Sequence, residues 1–270
     1  MPHVEVNGQT FHIETAGAGR PLVLLHGFTG SAANWRAHQP AFTSRFRVIA
    51  IDLLGHGRSA SPADAARYSM AHCVEDMNGI LAALQVDAAI MLGYSLGGRV
   101  ALSFSATHPQ RLSRLLVVSG SPGLASAEER AARVASDEAL AAQIEREGLE
   151  AFVDYWENIP LFASQKSLPP TVRAELRQQR LQNTSRGLAN SLRGLGVGAQ
   201  PALWEKLSEI KTPTLLLAGE ADTKFVTIAQ RMAKKMPNAQ LQIVPGAGHA
   251  VQLERPAEFQ RLVLDFLGKT

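Results

Sequence analysis

One cysteine, Cys73, stands in a chain of 270 residues. No internal disulfide can therefore brace the fold, and no cysteine cluster can hold a metal. With no base motif around it, Cys73 reads as a small buried apolar residue rather than a nucleophile. A His-x-x-x-His pair is missing as well, so no metal site is expected. No run approaches the roughly 20 apolar residues of a membrane span. The start, Met1-Pro2-His3-Val4-Glu5-Val6, lacks the apolar stretch of a signal peptide. A cytoplasmic location without a membrane partner is the expectation. The net charge is only +3 and no lysine-rich run concentrates it, which argues against a nucleic-acid partner. Gly17-x-Gly19 precedes an apolar run instead of following one, so it is no dinucleotide fingerprint. Internal repeats and low-complexity segments are absent too. The oligomeric state is left open.

What is present is the composition of an ordinary globular protein, 46% hydrophobic and 19% charged, with enough chain to bury one large core. Short β-rich runs recur at Val4–Val6, Phe11–Thr15, Pro21–Leu25, Arg47–Ile51, Ala89–Leu92, Arg114–Ser119, Thr214–Ala218 and Gln240–Val244. The middle ones are almost continuously apolar, as parallel strands covered on both faces are. Helical stretches separate them. This is an α/β pattern with a mostly parallel sheet of about eight strands, whose chemistry should gather at the carboxyl ends. The rhythm breaks between Pro122 and Trp204, where the chain reads as charged helices at 127–133, 139–156, 170–182 and 187–194, with Pro169 and Pro170 as a break. The expected organisation is a core of residues 1–121 and 205–270, with residues 122–204 inserted as a helical lid.

Gly93-Tyr94-Ser95-Leu96-Gly97-Gly98-Arg99 follows one of these strands and opens a helix. Glycines flank the serine because a sharp strand-to-helix turn crowds the backbone. Such a turn lifts Ser95 Oγ out of the sheet at a helix N-terminus, which favours negative charge. A serine hydroxyl needs a histidine, and the histidine an orienting carboxylate, before it can act as nucleophile or base. Two later loops supply candidates, Gly219-Glu220-Ala221-Asp222 and Gly246-Ala247-Gly248-His249. Either Glu220 or Asp222 could orient His249; Asp222, further into its loop, is favoured. Backbone N–H groups of Leu96 and of Phe28, in the loop His26-Gly27-Phe28, are the expected oxyanion donors. His26 and His56 read as structural hydrogen-bonders. Arg99 lies one helical turn beyond Ser95 and on the same face, so it can point into the same pocket, where its planar fork suits a carboxylate.

The motifs Leu25-His26-Gly27-Phe28, Asp52-Leu53-Leu54-Gly55-His56-Gly57, Gly93 to Gly98 and Gly246 to His249 resemble those of the α/β-hydrolase superfamily along essentially the whole chain. A narrower resemblance rests on Arg99, Ser121-Pro122-Gly123-Leu124, Glu129 to Arg133, Tyr155-Trp156-Glu157-Asn158-Ile159-Pro160-Leu161-Phe162 and Ala189 to Gly196. It is to the menaquinone-pathway lyase family, 2-succinyl-6-hydroxy-2,4-cyclohexadiene-1-carboxylate synthase. That resemblance implies an α/β-hydrolase fold and release of pyruvate from an enolpyruvyl cyclohexene bearing a succinyl group. It also implies a small-molecule polycarboxylate substrate and no metal or organic cofactor. It places Arg133 and Arg180 over the site as substrate-binding residues, with Arg173 and Arg177 as alternatives to Arg180 after a register slip. It makes Tyr94, Trp156 and Phe162 pocket walls. A serine hydrolase of esters or carbon–carbon bonds shares every triad residue, and a non-catalytic receptor would share only the scaffold.

Overall fold

The computed structural model describes residues 3–268. Eight strands, β1 (His3–Val6), β2 (Gln9–Ala16), β3 (Arg20–Leu25), β4 (Phe46–Ile51), β5 (Ala89–Tyr94), β6 (Leu112–Val118), β7 (Thr214–Gly219) and β8 (Ala239–Val244), form one sheet in the order β1-β2-β4-β3-β5-β6-β7-β8. β2 runs against both of its neighbours, and every pairing from β4 to β8 is parallel. The apolar runs explain this arrangement. In β3, Leu22 and Leu24 face one core and Val23 and Leu25 the other, and all four are fully buried. In β4, Val48 and Ala50 alternate with Ile49 and Ile51 in the same way. Period-two alternation with both faces covered yields a strand that looks uniformly apolar.

The helices are α1 (Gln39–Thr43), α2 (Met70–Ala83), α3 (Leu96–Thr107), α4 (Ala127–Trp156), α5 (Pro170–Arg180), α6 (Ser185–Leu195), α7 (Thr223–Lys235), α8 (Val251–Glu254) and α9 (Pro256–Gly268). α2, α3 and α7 cover one face through residues such as Met77, Val100 and Met232. α1, α9 and a 3-10 helix at Ala32–His38 cover the other through Phe42, Phe259 and Trp35. A third cluster forms where α4 meets α6, with Ala141, Ile144, Phe152, Leu188 and Leu192 buried against one another.

Two helices expected at 127–133 and 139–156 are one run, because nothing between them breaks it. α4 bends instead at Gly148, whose φ of 86° is outside the helical range. α5 starts at Pro170, where a proline's missing N–H costs nothing. The strand expected to reach Ser119 ends one residue earlier, since Ser119 turns to φ 49°. Among the described residues no helix is long and apolar enough to cross a membrane.

Candidate active site

Ser95 occupies the sharp turn between β5 and α3 with φ 50° and ψ −107°. A side chain held there stores about 1–3 kcal/mol of strain, so the surroundings must enforce it. They do so by close approach. A Cβ on Gly93 would meet the backbone of Gly97, and a Cβ on Gly97 would meet the carbonyls of Leu25 and His26. The Ser95 N–H donates to Val118 O at 2.8 Å and the Gly97 N–H to His26 O at 3.0 Å. The turn is thereby tied to β6 on one side and to the loop after β3 on the other.

His249 arrives from the loop after β8 and is almost wholly buried. The ring of Phe225 lies with its centroid 4.6 Å from that of His249, and Tyr94 lies at 5.4 Å. Ser95 Oγ is 3.0 Å from His249 Nε2, and His249 Nδ1 is 2.7 Å from Asp222 Oδ2. Asp222 is placed by its second duty as N-cap of α7, where it accepts from the Phe225 N–H at 3.3 Å. Glu220, the rival carboxylate, faces elsewhere and accepts from the Gly246 N–H at 3.0 Å. Asp222→Asn should therefore lower kcat by about 10²-fold or more, through loss of the imidazole's tautomer and orientation. Glu220→Gln, a surface change, should leave kcat within a few-fold. Steady-state kinetics on the two variants side by side check this, and equal losses would assign the wrong carboxylate.

The loop carrying Phe28 owes its shape to His26. The Leu53 N–H donates to His26 Nε2 at 3.0 Å, so Nδ1 holds the proton and donates to Gly27 O at 2.7 Å. Burial pushes His26 down to about 4 and keeps this neutral tautomer. His56 is pushed to about 3, first by burial and then by neighbouring His26. Asp52 braces the same region by accepting from the Ala32 and Arg58 N–H groups at 2.6 and 2.8 Å. Among the described residues the backbone N–H groups of Phe28 and Leu96 have no protein acceptor.

A cavity of about 330 Å³ opens above Ser95, between the carboxyl ends of the strands and the helices of residues 127–195. Phe28, Tyr94, Ser95, Leu96, Arg99, Arg133, Trp156, Phe162 and His249 all line it. Arg99 is part-buried and donates from one terminal nitrogen to Leu195 O at 2.6 Å and to Gln200 Oε1 at 2.9 Å. Burial first, and the charge of Arg133 second, lower its pKa to about 10, so the guanidinium is still charged at neutral pH. Among the described residues it has no carboxylate within ion-pair distance. Arg133 reaches the cavity while paired to Asp137 at 2.7 Å. Burial raises the Asp137 pKa against the pull of that arginine, and one Asp137 oxygen has no hydrogen-bond partner. The Tyr94 phenol is pushed well above its usual range by burial.

Arg180 does not reach this cavity. It is paired with Glu157 at 3.1 Å, touches Gln165 at 3.4 Å, and lies 5.6 Å from the centre of the Phe162 ring. Arg180 lines a separate cleft of about 40 Å³ that shares Phe28, Tyr94 and Phe162 with the main cavity. Of its two register alternatives, Arg177 is taken up by Asp154 at 2.6 Å and Glu157 at 3.3 Å, and Arg173 is exposed. Sequence reasoning missed Phe225 and Lys224. Both line the cavity from the first turn of α7, and their place directly after Asp222 was the available signal.

A serine–histidine–carboxylate relay at the carboxyl edge of a doubly covered parallel sheet defines a class, and the chain belongs to it: the sequence model of the alpha/beta hydrolase fold family matches residues 20–256. Within that family the chain groups with the 2-succinyl-6-hydroxy-2,4-cyclohexadiene-1-carboxylate synthases. The protein of that name from Klebsiella pneumoniae subsp. pneumoniae is 36% identical over 91% of this chain and 93% of its own. A Bacillus subtilis (strain 168) protein that bears the name provisionally is 45% identical over 94% of this chain and 92% of its own. The structure of MenH from S. aureus superposes with a TM-score of 0.91 at 37% identity, covering 96% of this chain and 98% of that one.

Proposed function

We propose that the chain eliminates pyruvate from 2-succinyl-5-enolpyruvyl-6-hydroxy-3-cyclohexene-1-carboxylate, leaving 2-succinyl-6-hydroxy-2,4-cyclohexadiene-1-carboxylate, in menaquinone biosynthesis. One observation carries the reading beyond the shared fold. Part-buried Arg99, without a carboxylate at ion-pair distance among the described residues, shares a cavity with Ser95 and Arg133, and the carboxylate near both arginines, Asp137, is already paired with Arg133. Two part-buried guanidinium groups sharing one nearby carboxylate, Asp137, are under-compensated, and a substrate carboxylate offsets that cost. An apolar ester would not.

The chemistry is proton abstraction. His249 Nε2 accepts the Ser95 hydroxyl proton while its Nδ1–H donates to Asp222. Ser95 Oγ then removes the ring proton α to the succinyl carbonyl. The electron pair moves onto the carbonyl oxygen, where the N–H groups of Phe28 and Leu96 stabilise the enolate. Collapse of the enolate breaks the ring carbon–oxygen bond to the enolpyruvyl group. The departing enolate takes the proton from His249 and leaves as pyruvate, and Ser95 keeps the ring proton as its hydroxyl. The same donors would hold the oxyanion of an acyl transfer, so a small change of substrate separates the lyase from a hydrolase.

The test is incubation of the purified protein with freshly made enolpyruvyl precursor while pyruvate is followed in a coupled assay. Fast release supports the reading. Release no faster than the spontaneous background would sink it.

A further inference from the structure

The substrate of the proposed reaction carries three carboxylates, and two arginines, Arg99 and Arg133, line the cavity. Arg180 is paired with Glu157 and does not line it. A third cation does border the space above Ser95, and it is a lysine. Lys224 sits in the first turn of α7, two residues after the N-cap Asp222, and lines the cavity with Phe225 and Ile228. Positions 224 and 228 are four apart, so they share the stripe of α7 that faces the cavity.

Lys224 has neither an ion pair nor a hydrogen bond among the described residues. Its place is also unfavourable for a cation, since the first turn of a helix carries the positive end of the dipole. The other lysines of α7, Lys234 and Lys235, lie in its last turn, where a cation is favoured. An exposed, unpartnered lysine set against the dipole gains nothing for the fold, while at the rim of the cavity it gains a partner whenever an anion enters. Arg99 is part-buried and Lys224 exposed, so Lys224 marks the more open part of the cavity. An ammonium on a flexible stem binds as a point charge without the fixed geometry of a guanidinium fork, which suits a carboxylate near the exit.

We propose that Lys224 binds the substrate carboxylate nearest the cavity opening and so selects polyanionic substrates. This rests on the function proposed above. It extends the carboxylate recognition by one residue, on the wall formed by α7.

The test measures pyruvate release by wild type, Lys224→Ala and Lys224→Arg. It also measures binding of tricarballylate, a tricarboxylate with no bond to break, by calorimetry. Because Lys224 makes no contact whose loss would unsettle the fold, the variants are expected to fold. Lys224→Ala should raise KM by about 10-fold, the equivalent of about 1.4 kcal/mol. It should leave kcat within about three-fold and weaken tricarballylate by a similar factor, with Lys224→Arg restoring most of both. Unchanged KM and affinity in Lys224→Ala would overturn the inference. So would a fall in kcat that Lys224→Arg fails to rescue, since the lysine would then act through Asp222 and His249. If wild type releases no pyruvate but Lys224→Ala still loses tricarballylate, the function fails and the carboxylate site stands. A wild type that does neither overturns both.

Discussion

Replacing Ser95 with alanine is expected to lower kcat for pyruvate release by about 10³-fold or more. In the proposed reaction the hydroxyl is the group that takes the ring proton, and it stands 3.0 Å from His249 Nε2. A water cannot take over easily, because His249 is packed between the rings of Phe225, Tyr94 and Phe162 and is almost wholly buried. His249→Ala should cost a comparable factor. The double variant should be little worse than either single one, because groups that act as a unit fail as a unit. Tricarballylate affinity should survive Ser95→Ala, since no cation is touched. The coupled pyruvate assay and calorimetry on the same preparations check both statements. Ser95→Ala within tenfold of wild type would mean that another base removes the proton.

The almost continuous apolar runs made the middle strands legible, because a strand covered on both faces must be apolar on both, whereas β1 and β8, partly exposed, were read from short β-rich runs. Their ends were less so. Ser119 read as a continuation of β6, yet its backbone turns to φ 49° as the chain leaves the sheet, and nothing local in Ser119-Gly120 separates these two outcomes. The turn at Ser95 was readable because close backbone approach leaves only glycine at positions 93 and 97. The sequence favoured Asp222 over Glu220 only through its place further into the loop. The distinction lies in a tertiary contact, the Glu220 carboxylate accepting from the Gly246 N–H. Arg180 illustrates the same limit. Its partners Glu157, Gln165 and Phe162 lie outside α5, and no pattern within α5 reveals which cavity its guanidinium lines. Lys224 was overlooked for a different reason. A lone lysine on a helix is commonly solvated, and its significance appears only once α7 is placed beside the cavity.

Arg99→Ala is expected to lower kcat/KM by about 10- to 150-fold, the equivalent of about 1.5–3 kcal/mol for one charge-assisted contact. Most of the loss should appear in KM if the carboxylate contact is equally strong before and during elimination, and in kcat if it tightens as the enolate forms. The guanidinium's pKa of about 10 reflects first desolvation and then the nearby charge of Arg133. A substrate carboxylate reverses that pressure, since an adjacent anion favours the charged form. Substrate and arginine therefore stabilise each other's ionised states. Truncation has a second effect, because Leu195 O and Gln200 Oε1 lose their donor and buried acceptors without donors destabilise the fold. Arg99→Lys separates the two effects. It keeps the charge and can still reach one of those acceptors, but it lacks the fork that spans both carboxylate oxygens. If recognition by the fork dominates, Arg99→Lys should melt close to wild type yet lose most of the kcat/KM that Arg99→Ala loses. If Arg99 only props α6 against the core, Arg99→Lys should recover activity and stability together, and the cavity would have to find its carboxylate partner elsewhere.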